Sequence, residues 1–413
     1  MARIAYLSPT PPASTGVATY SAAVLRDLRA TGFTRRHRLH VPGATESLEA
    51  AVARSDLAVY HLGNNLRYHG EIYGLAVRRP GLVVLHDLAL DDLARGLVDR
   101  GDPTGDRTVA EALAARDRLG RAAPEGPLGT PWCALAVRRA RGVIVHAPFG
   151  RRYLESFGSR TPVHVVPHPV PPAAGARARS RARRIRARHP GKVLVGVLGD
   201  IGEAKAIGSV LDAARMLGDP VHVAVVGRRI PGYDVAPEID EREMTDRVSV
   251  APDVDDLDFT AWLMASDVVV NLRHPHRGEV SGTVVRAMLA GKATVVSAVG
   301  TYLDWPEGTV VRVPAGRPEP ADLAAALGPL VRDRSAREAV GERARAALER
   351  QEREHHTTGG YAGAIEETLR RVRDPGQATV ERWAAAMADL GATPGAPGGD
   401  YLEALEEISG PTS

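Results

Sequence analysis

A carboxylate just ahead of a helix N-terminus and a lysine at the mouth of a glycine-containing loop are the features of this chain that imply chemistry most directly. In residues 265–300 the apolar run Val268-Val269-Val270 follows Asp267 and has the length of a buried strand. A loop of Arg, His, Pro and Gly then ends in Gly278-Glu279-Val280. Ser281 stands where an N-cap belongs, ahead of Val284, Val285, Met288 and Leu289. Gly291 is placed to close that helix at C′, and Thr294-Val295-Val296 is the next strand. A helix that begins at a strand end turns its free N–H groups into the crevice there and favours an anion. Glu279 does not suit phosphate; it suits hydroxyls, from which it can accept hydrogen bonds. The stretch asks for a ligand with both a phosphate and a polyhydroxyl group.

The lysine lies earlier. Val193 to Leu198 is an apolar strand, followed by Gly199-Asp200-Ile201-Gly202-Glu203-Ala204-Lys205. Val210, Leu211, Ala214 and Leu217 then continue at helical spacing. A lysine opening a helix after such a loop can neutralise a diphosphate. The loop lacks the G-x-x-x-x-G-K-[ST] order, and the chain has no G-x-G-x-x-G.

The elements that position these residues are short strands alternating with helices. Arg3 to Leu7 is a strand, followed by a Pro-rich loop to Gly16, with Tyr20, Ala23, Val24 and Leu28 on one helical face. Gly16 either lets a backbone approach a ligand or forms the turn before the helix. Strands at 57–60, 82–85, 143–145 and 163–166 end at or near His61, His86, His146 and His168. Each histidine reads first as structural. His86 stands out because Asp87 follows it at a strand end, where open α/β sheets bind ligands.

Further strands fall at 221–226, 248–250 and 309–313. Residues 170–190 form a linker and a basic helix with seven arginines between Arg177 and Arg188, a solvated surface helix in its simplest reading. Asp255 with Asp258 is read as an N-cap pair rather than a metal-binding D-x-D. Helices are expected at 321–330, 336–348, within 355–369, and at 379–390 and 401–408.

The 413 residues suit two or three domains, and two similar βα-rich halves with a cleft between them are expected. The formal net charge of +3 does not point to nucleic acid. One cysteine, Cys133, excludes intramolecular disulfides and multi-cysteine metal sites. The N-terminus is too short and wrongly flanked for a signal peptide, and no apolar run has the length of a membrane helix. A cytoplasmic protein is expected.

The Pro-rich loop to Gly16, HLGNN, VVLHDL, VIVH, VVPHP, the loop to Lys205, and NLRHPHRGEVSGTVVRAMLAGKATVVS stand in an order that resembles family 4 glycosyltransferases. These are retaining enzymes of the GT-B fold that use nucleotide-diphosphate sugars. The resemblance covers most of the chain, and its LR-x-P-x-x-GE-x-SG wording is similar to a bacterial subgroup, some of whose members act on cell-surface sugars or specialised metabolites.

It implies an α/β fold of two Rossmann-like domains facing across a cleft: an N-terminal acceptor domain, 1–172, and a C-terminal donor domain, 190–350. C-terminal helices within 355–413 would cross back to the first domain. It implies that Lys205 meets the diphosphate beside Gly199, that Ser281, Gly282 and Thr283 cap it with N–H groups, and that Glu279 holds sugar hydroxyls. Gly16 would approach the donor phosphates, and His86 would sit near the reacting sugar. The acceptor, a small metabolite or glycan, would enter over Asn64 and Asn65 near Asp87. His86, Glu279 and Lys205 are the expected catalytic set. No cofactor beyond the nucleotide-sugar co-substrate, no metal, no nucleic acid and no membrane contact are expected; self-association stays open.

Two departures from the family pattern stand out. Where many members carry a second Glu for the ribose, this chain has Arg286 or Ala287, neither of which can accept from hydroxyls. Arg286 either supports phosphates, pairs with Glu279 or faces solvent. Asp200 stands where Arg is common, with Arg228, Arg273 and Arg286 as candidates to compensate. A nucleotide-sugar epimerase on the same fold and a non-catalytic sugar-nucleotide-binding partner subunit are the alternatives.

Overall fold

Short β-branched runs separated by amphipathic helices can bury a strand on both faces in a parallel sheet covered by helices, and the chain does this twice. The computed structural model describes residues 1–13, 15–120, 123–357 and 360–374. The first sheet comprises β1 (Arg3–Leu7), β2 (Arg38–His40), β3 (Leu57–Leu62), β4 (Leu82–Leu85), β5 (Gly142–Val145) and β6 (Val163–Val165), in the order β2-β1-β3-β4-β5-β6. The second comprises β7 (Val193–Leu198), β8 (Val221–Gly227), β9 (Val248–Pro252), β10 (Val268–Asn271), β11 (Ala293–Ser297) and β12 (Val311–Val313), in the order β12-β11-β10-β7-β8-β9. Every pairing is parallel.

Strand alternation gives each sheet two buried faces. In β3, Ala58, Tyr60 and Leu62 face one core while Leu57 and Val59 face the other. In β7, Val195 and Val197 oppose Leu194 and Leu198 in the same way. Burial of each such Val or Leu side chain contributes about 1.5–3 kcal/mol relative to exposure.

The strand order reverses on either side of β1 in the first sheet and of β7 in the second. Such switch points open a crevice at the strands' carboxyl ends. The loops after β7 and β10 flank the second crevice, and these carry Lys205 and Glu279. Gly227 sets the depth of that crevice. Its φ is +143°, and a Cβ there would lie 1.8 Å from the Gly199 carbonyl oxygen, so any side chain would displace the loop after β7.

Several local expectations hold. The Ser281 side chain accepts from the Val284 amide at the start of the Gly282–Leu289 helix, and Gly291 follows its end at φ +63°. Asp255 caps the Asp256–Ala265 helix by accepting from the Asp258 amide at 2.7 Å, so capping accounts for that cluster. The basic helix, Ala176–Ala187, is more than a solvated surface. Ala178, Ala182 and Ile185 are buried, the last two against the Asp256–Ala265 helix, while Arg181 pairs with Asp258 and Arg186 with Asp267 at 3.0 Å. Strand β2 has no apolar run and only a half-buried centre, which is why periodicity did not suggest it.

The Gly360–Arg373 helix returns to the first sheet. Tyr361, Ala364, Ile365 and Leu369 pack there with Ile4, Tyr6, Val59 and Leu82. The helices expected at 379–390 and 401–408 lie outside the described residues. Among the described residues no helix is long and apolar enough to cross a membrane.

Candidate active site

The crevice beyond β7 and β10 holds a lysine side chain with no counter-charge bonded to it among the described residues. Lys205 ends a short 3₁₀ turn, Glu203–Lys205, is 2% exposed, and its Nζ has no hydrogen-bond partner among the described residues. Burial, then the charge of Arg273, hold its pKa well below the ordinary lysine value; Asp200 and Glu279 pull the other way. A buried cation in that condition lacks an anion. Gly199 (φ +116°) lies beside it: a Cβ there would come within 3.4 Å of Thr283 Oγ1 and 3.6 Å of Lys205 Nζ. Gly199, Lys205 and the first turn of the Gly282–Leu289 helix therefore converge.

Glu279 closes the other side. One carboxylate oxygen accepts from the Arg277 amide at 2.7 Å, and the other lies 2.7 Å from Arg273 Nε. Arg273 is therefore the arginine of the candidate set that sits with Lys205 and Glu279. Arg228 binds Asp200 instead, through contacts of 3.1 and 2.9 Å. Arg286 departs from its expected donor contact. Its guanidinium donates to Asp256 at 2.6 Å and lies 5.6 Å from the centre of the Phe259 ring, because its helix face points at the Asp256–Ala265 helix rather than at Glu279. Arg286→Met is accordingly expected to change nucleotide affinity by less than about threefold in calorimetry, the scale of a partly exposed ion pair.

The loop carrying Glu279 is bolted to the first domain. The Arg277 carbonyl accepts from the amides of Leu88 and Ala89 at 2.8 and 3.1 Å, and its guanidinium reaches Asp91 and Asp92. Arg152 and the Phe149 amide hold Asp304 at a second bridge. This docking brings Asp87 toward Glu279. Burial first, then the charge of Glu279, push the Asp87 pKa from its ordinary 3.8 up to about 7. The folded pKa exceeds the unfolded one, so folding retains a proton that the unfolded chain releases between those values. Stability should fall as pH rises through that window and level off above it. Asp87→Asn is expected to raise the melting temperature by about 2 °C near pH 8 and by nothing near pH 4, measured by calorimetry.

Asn64 and Asn65 have other partners than an acceptor. Asn64 Oδ1 accepts from the amides of Asp92 and Leu93, capping the Asp91–Asp99 helix, and its amide nitrogen bonds both aspartates. Asn65 caps the Leu66–Arg78 helix through the Arg67 amide. Their side chains build the rim of the cleft, because both helices start where a polar cap is needed. Gly16 opens the Gly16–Ala30 helix, where a Cβ would meet only open space; Thr15 is the N-cap.

The four strand-end histidines come together. The ring centres of His61, His86, His146 and His168 lie 5.8, 4.7, 4.9 and 5.0 Å from that of Tyr20. Burial lowers the pKa of His61, His86 and His168, the last to about 3, so these rings are neutral. His168 also reaches the phosphate-type helix start, since a Cβ on Gly282 would lie 3.6 Å from its Cε1. Of this group the sequence singled out only His86. Position at the ends of parallel strands was the available signal for the others.

Two parallel six-stranded sheets facing across this cleft, with a helix returning to the first, define the GT-B fold. Residues 192–333 match the family model of glycosyl transferases group 1. Among solved structures, HepE of Anabaena in complex with UDP and glucose is similar with a TM-score of 0.59 at 16% identity, over 87% of this chain and 100% of that one. Sucrose-phosphate synthase of Thermosynechococcus elongatus gives 0.60 at 16% identity, over 93% and 100%. WaaG, a glycosyltransferase involved in lipopolysaccharide biosynthesis, gives 0.54 at 14% identity, over 87% and 100%. No curated protein matches the sequence.

Proposed function

We propose that the protein is a retaining glycosyltransferase of the family 4 type, moving a sugar from a nucleotide-diphosphate sugar to a small metabolite or glycan. The donor is held by the second domain at 190–350, and the acceptor enters over the first, 1–172. The observation that carries this reading is the buried Lys205 side chain, with no hydrogen-bond partner among the described residues, across Gly199 from the first turn of the Gly282–Leu289 helix, whose amides at Ser281, Gly282 and Thr283 have no intrahelical acceptor. That pairing asks for a diphosphate, and Glu279 beside it asks for sugar hydroxyls.

As the anomeric C–O bond breaks, the diphosphate gains negative charge. Lys205, Arg273 and the fixed N–H dipoles stabilise that charge without reorganising. An acceptor hydroxyl held on the same face forms the new bond at the anomeric carbon and passes its proton to the departing phosphate, which retains configuration. This scheme asks for no metal. His86 lies on the sugar side of the cleft. Asp200 leaves the diphosphate end, and Arg286 the ribose end, differently furnished from the family pattern.

The test is a thermal-shift comparison of UDP, GDP, ADP and TDP, with UDP first because HepE was captured with it. At a hundred times its dissociation constant the right nucleotide should stabilise by about 2.7 kcal/mol. Incubation with the matching nucleotide sugar, without and then with acceptors, should give slow hydrolysis and then a glycoside with the donor's anomeric configuration. An epimerised donor, or binding with no turnover on any acceptor, would replace this reading by one of its alternatives. No stabilisation by any nucleotide would remove the diphosphate site.

A further inference from the structure

Glu279 is held from both sides by segments that dock on the first domain. On one side Arg277 makes three ties. Its amide donates to Glu279 Oε2 at 2.7 Å. Its carbonyl accepts from the Leu88 and Ala89 amides at 2.8 and 3.1 Å. Its guanidinium binds both Asp91 carboxylate oxygens at 2.9 and 3.2 Å, and Asp92 at 3.1 Å. On the other side the Thr301 hydroxyl donates to the Glu279 carbonyl at 2.8 Å. Thr301 belongs to the short turn Gly300–Asp304, whose last residue accepts from the Phe149 amide of the first domain at 2.6 Å. We propose that Arg277 is a positioning residue for Glu279, making the placement of that carboxylate conditional on contact between the two domains.

The carbonyl and the guanidinium of Arg277 are both held from the first domain. Together they fix its Cα, and with it the direction of the N–H that orients the Glu279 carboxylate. Gly278 permits the close approach. Its φ is +77°, and a Cβ there would lie 2.6 Å from Leu88 Cδ1 and 2.9 Å from Leu88 Cβ, so a larger residue would push the loop off the first domain. The Asp91 side chain is 12% exposed and that of Arg277 28%, so their two-pronged pair is partly desolvated and charge-assisted rather than a loose surface contact. Asn64 donates to Asp91 and Asp92 at 3.0 Å each and keeps both carboxylates in place for Arg277.

Lys205 and the start of the Gly282–Leu289 helix are both carried by the second domain. The two roles therefore separate: a nucleotide diphosphate would meet its partners without domain contact, and a sugar would meet an ordered Glu279 only with it. The sugar's part rests on the glycosyltransferase reading; the positioning of the carboxylate does not.

The test is hydrogen-exchange mass spectrometry of the full chain, on fragments containing residues 88–89 and residue 277, in the unaltered protein and in Arg277→Met. Methionine keeps the stem and both backbone groups of residue 277, so whatever reaches Glu279 passes through the docking. Exchange at Leu88 and Ala89 in the first domain, and at the residue 277 amide in the second, should each quicken about tenfold. Turnover of the donor should fall about tenfold, with the affinity for UDP within about threefold, and the same substitution should cost less than about twofold when added to Glu279→Gln. If Arg277→Met does not fold, Asp91→Asn loosens the same amides from the first domain. An unchanged rate at residue 277 in a folded variant overturns the proposal, whether or not Leu88 and Ala89 respond. Equal losses of turnover with and without Glu279→Gln overturn it as well. The exchange rates need no turnover, so the proposal stands or falls separately from the glycosyltransferase reading, which the nucleotide shifts decide.

Discussion

Replacing Lys205 by methionine is expected to raise the melting temperature of the ligand-free protein by about 2–4 °C and to weaken nucleotide-diphosphate binding about a hundredfold. The two effects have opposite signs because they have one cause. The Lys205 side chain is buried with no hydrogen-bond partner among the described residues, beside the like charge of Arg273. An isosteric thioether removes that desolvated charge and keeps the stem's packing. It also removes the group proposed to meet the anion. A site that destabilises the empty protein and is relieved by ligand is the usual compromise between stability and function. Calorimetric melting with and without nucleotide reads both effects in one experiment. A destabilised variant with an undiminished nucleotide shift would make Lys205 a packing residue and leave the diphosphate to the helix N-terminus alone.

Glu279→Gln is expected to lower turnover by about 10²- to 10³-fold while leaving the affinity for the bare nucleotide diphosphate within about threefold. Glutamine can still accept the Arg277 amide at the position now 2.7 Å away, so the loop docked on Leu88 and Ala89 keeps its shape. What is lost is the negative charge proposed to face the sugar and the ion pair with Arg273. Glu279→Ala would confuse these effects, because it also leaves the Arg277 amide without its acceptor. The contrast between nucleotide and nucleotide sugar is the decisive measurement. If glutamine supports full turnover, Glu279 is a staple of the loop and the sugar is held elsewhere.

Much of the site was legible because the signals were local. Ser281 ahead of an apolar helical face, Gly291 after it, and Asp255 three residues before Asp258 are capping patterns whose partners lie within one turn, and each makes the bond its spacing implies. The glycine loop before Lys205 was readable in the same way, since strand, loop and helix adjoin. Arg286 shows where this fails. Three residues after Thr283 it shares a helical face with that residue, but a long side chain selects among partners brought by other elements. Here the Asp256–Ala265 helix supplies both a carboxylate and an aromatic ring. Asn64 and Asn65 were ambiguous for a related reason: a polar pair at a strand end suits a ligand and a helix cap equally well, and the placed helices show the caps.

The sequence by itself determined the alternation of strands and helices, the caps, and the two loops that bear Lys205 and Glu279. Those depend on backbone periodicity and on hydrogen bonds between near neighbours. Only the tertiary structure decided that His61, His86, His146 and His168 surround one tyrosine, that Arg273 rather than Arg228 or Arg286 joins Lys205, and that Tyr361 reaches His61 across 300 residues of chain. Parallel strands deliver their carboxyl ends to one edge whatever their distance in sequence. Which side chains meet at that edge is set by strand order and domain docking, and neither is written in any local pattern.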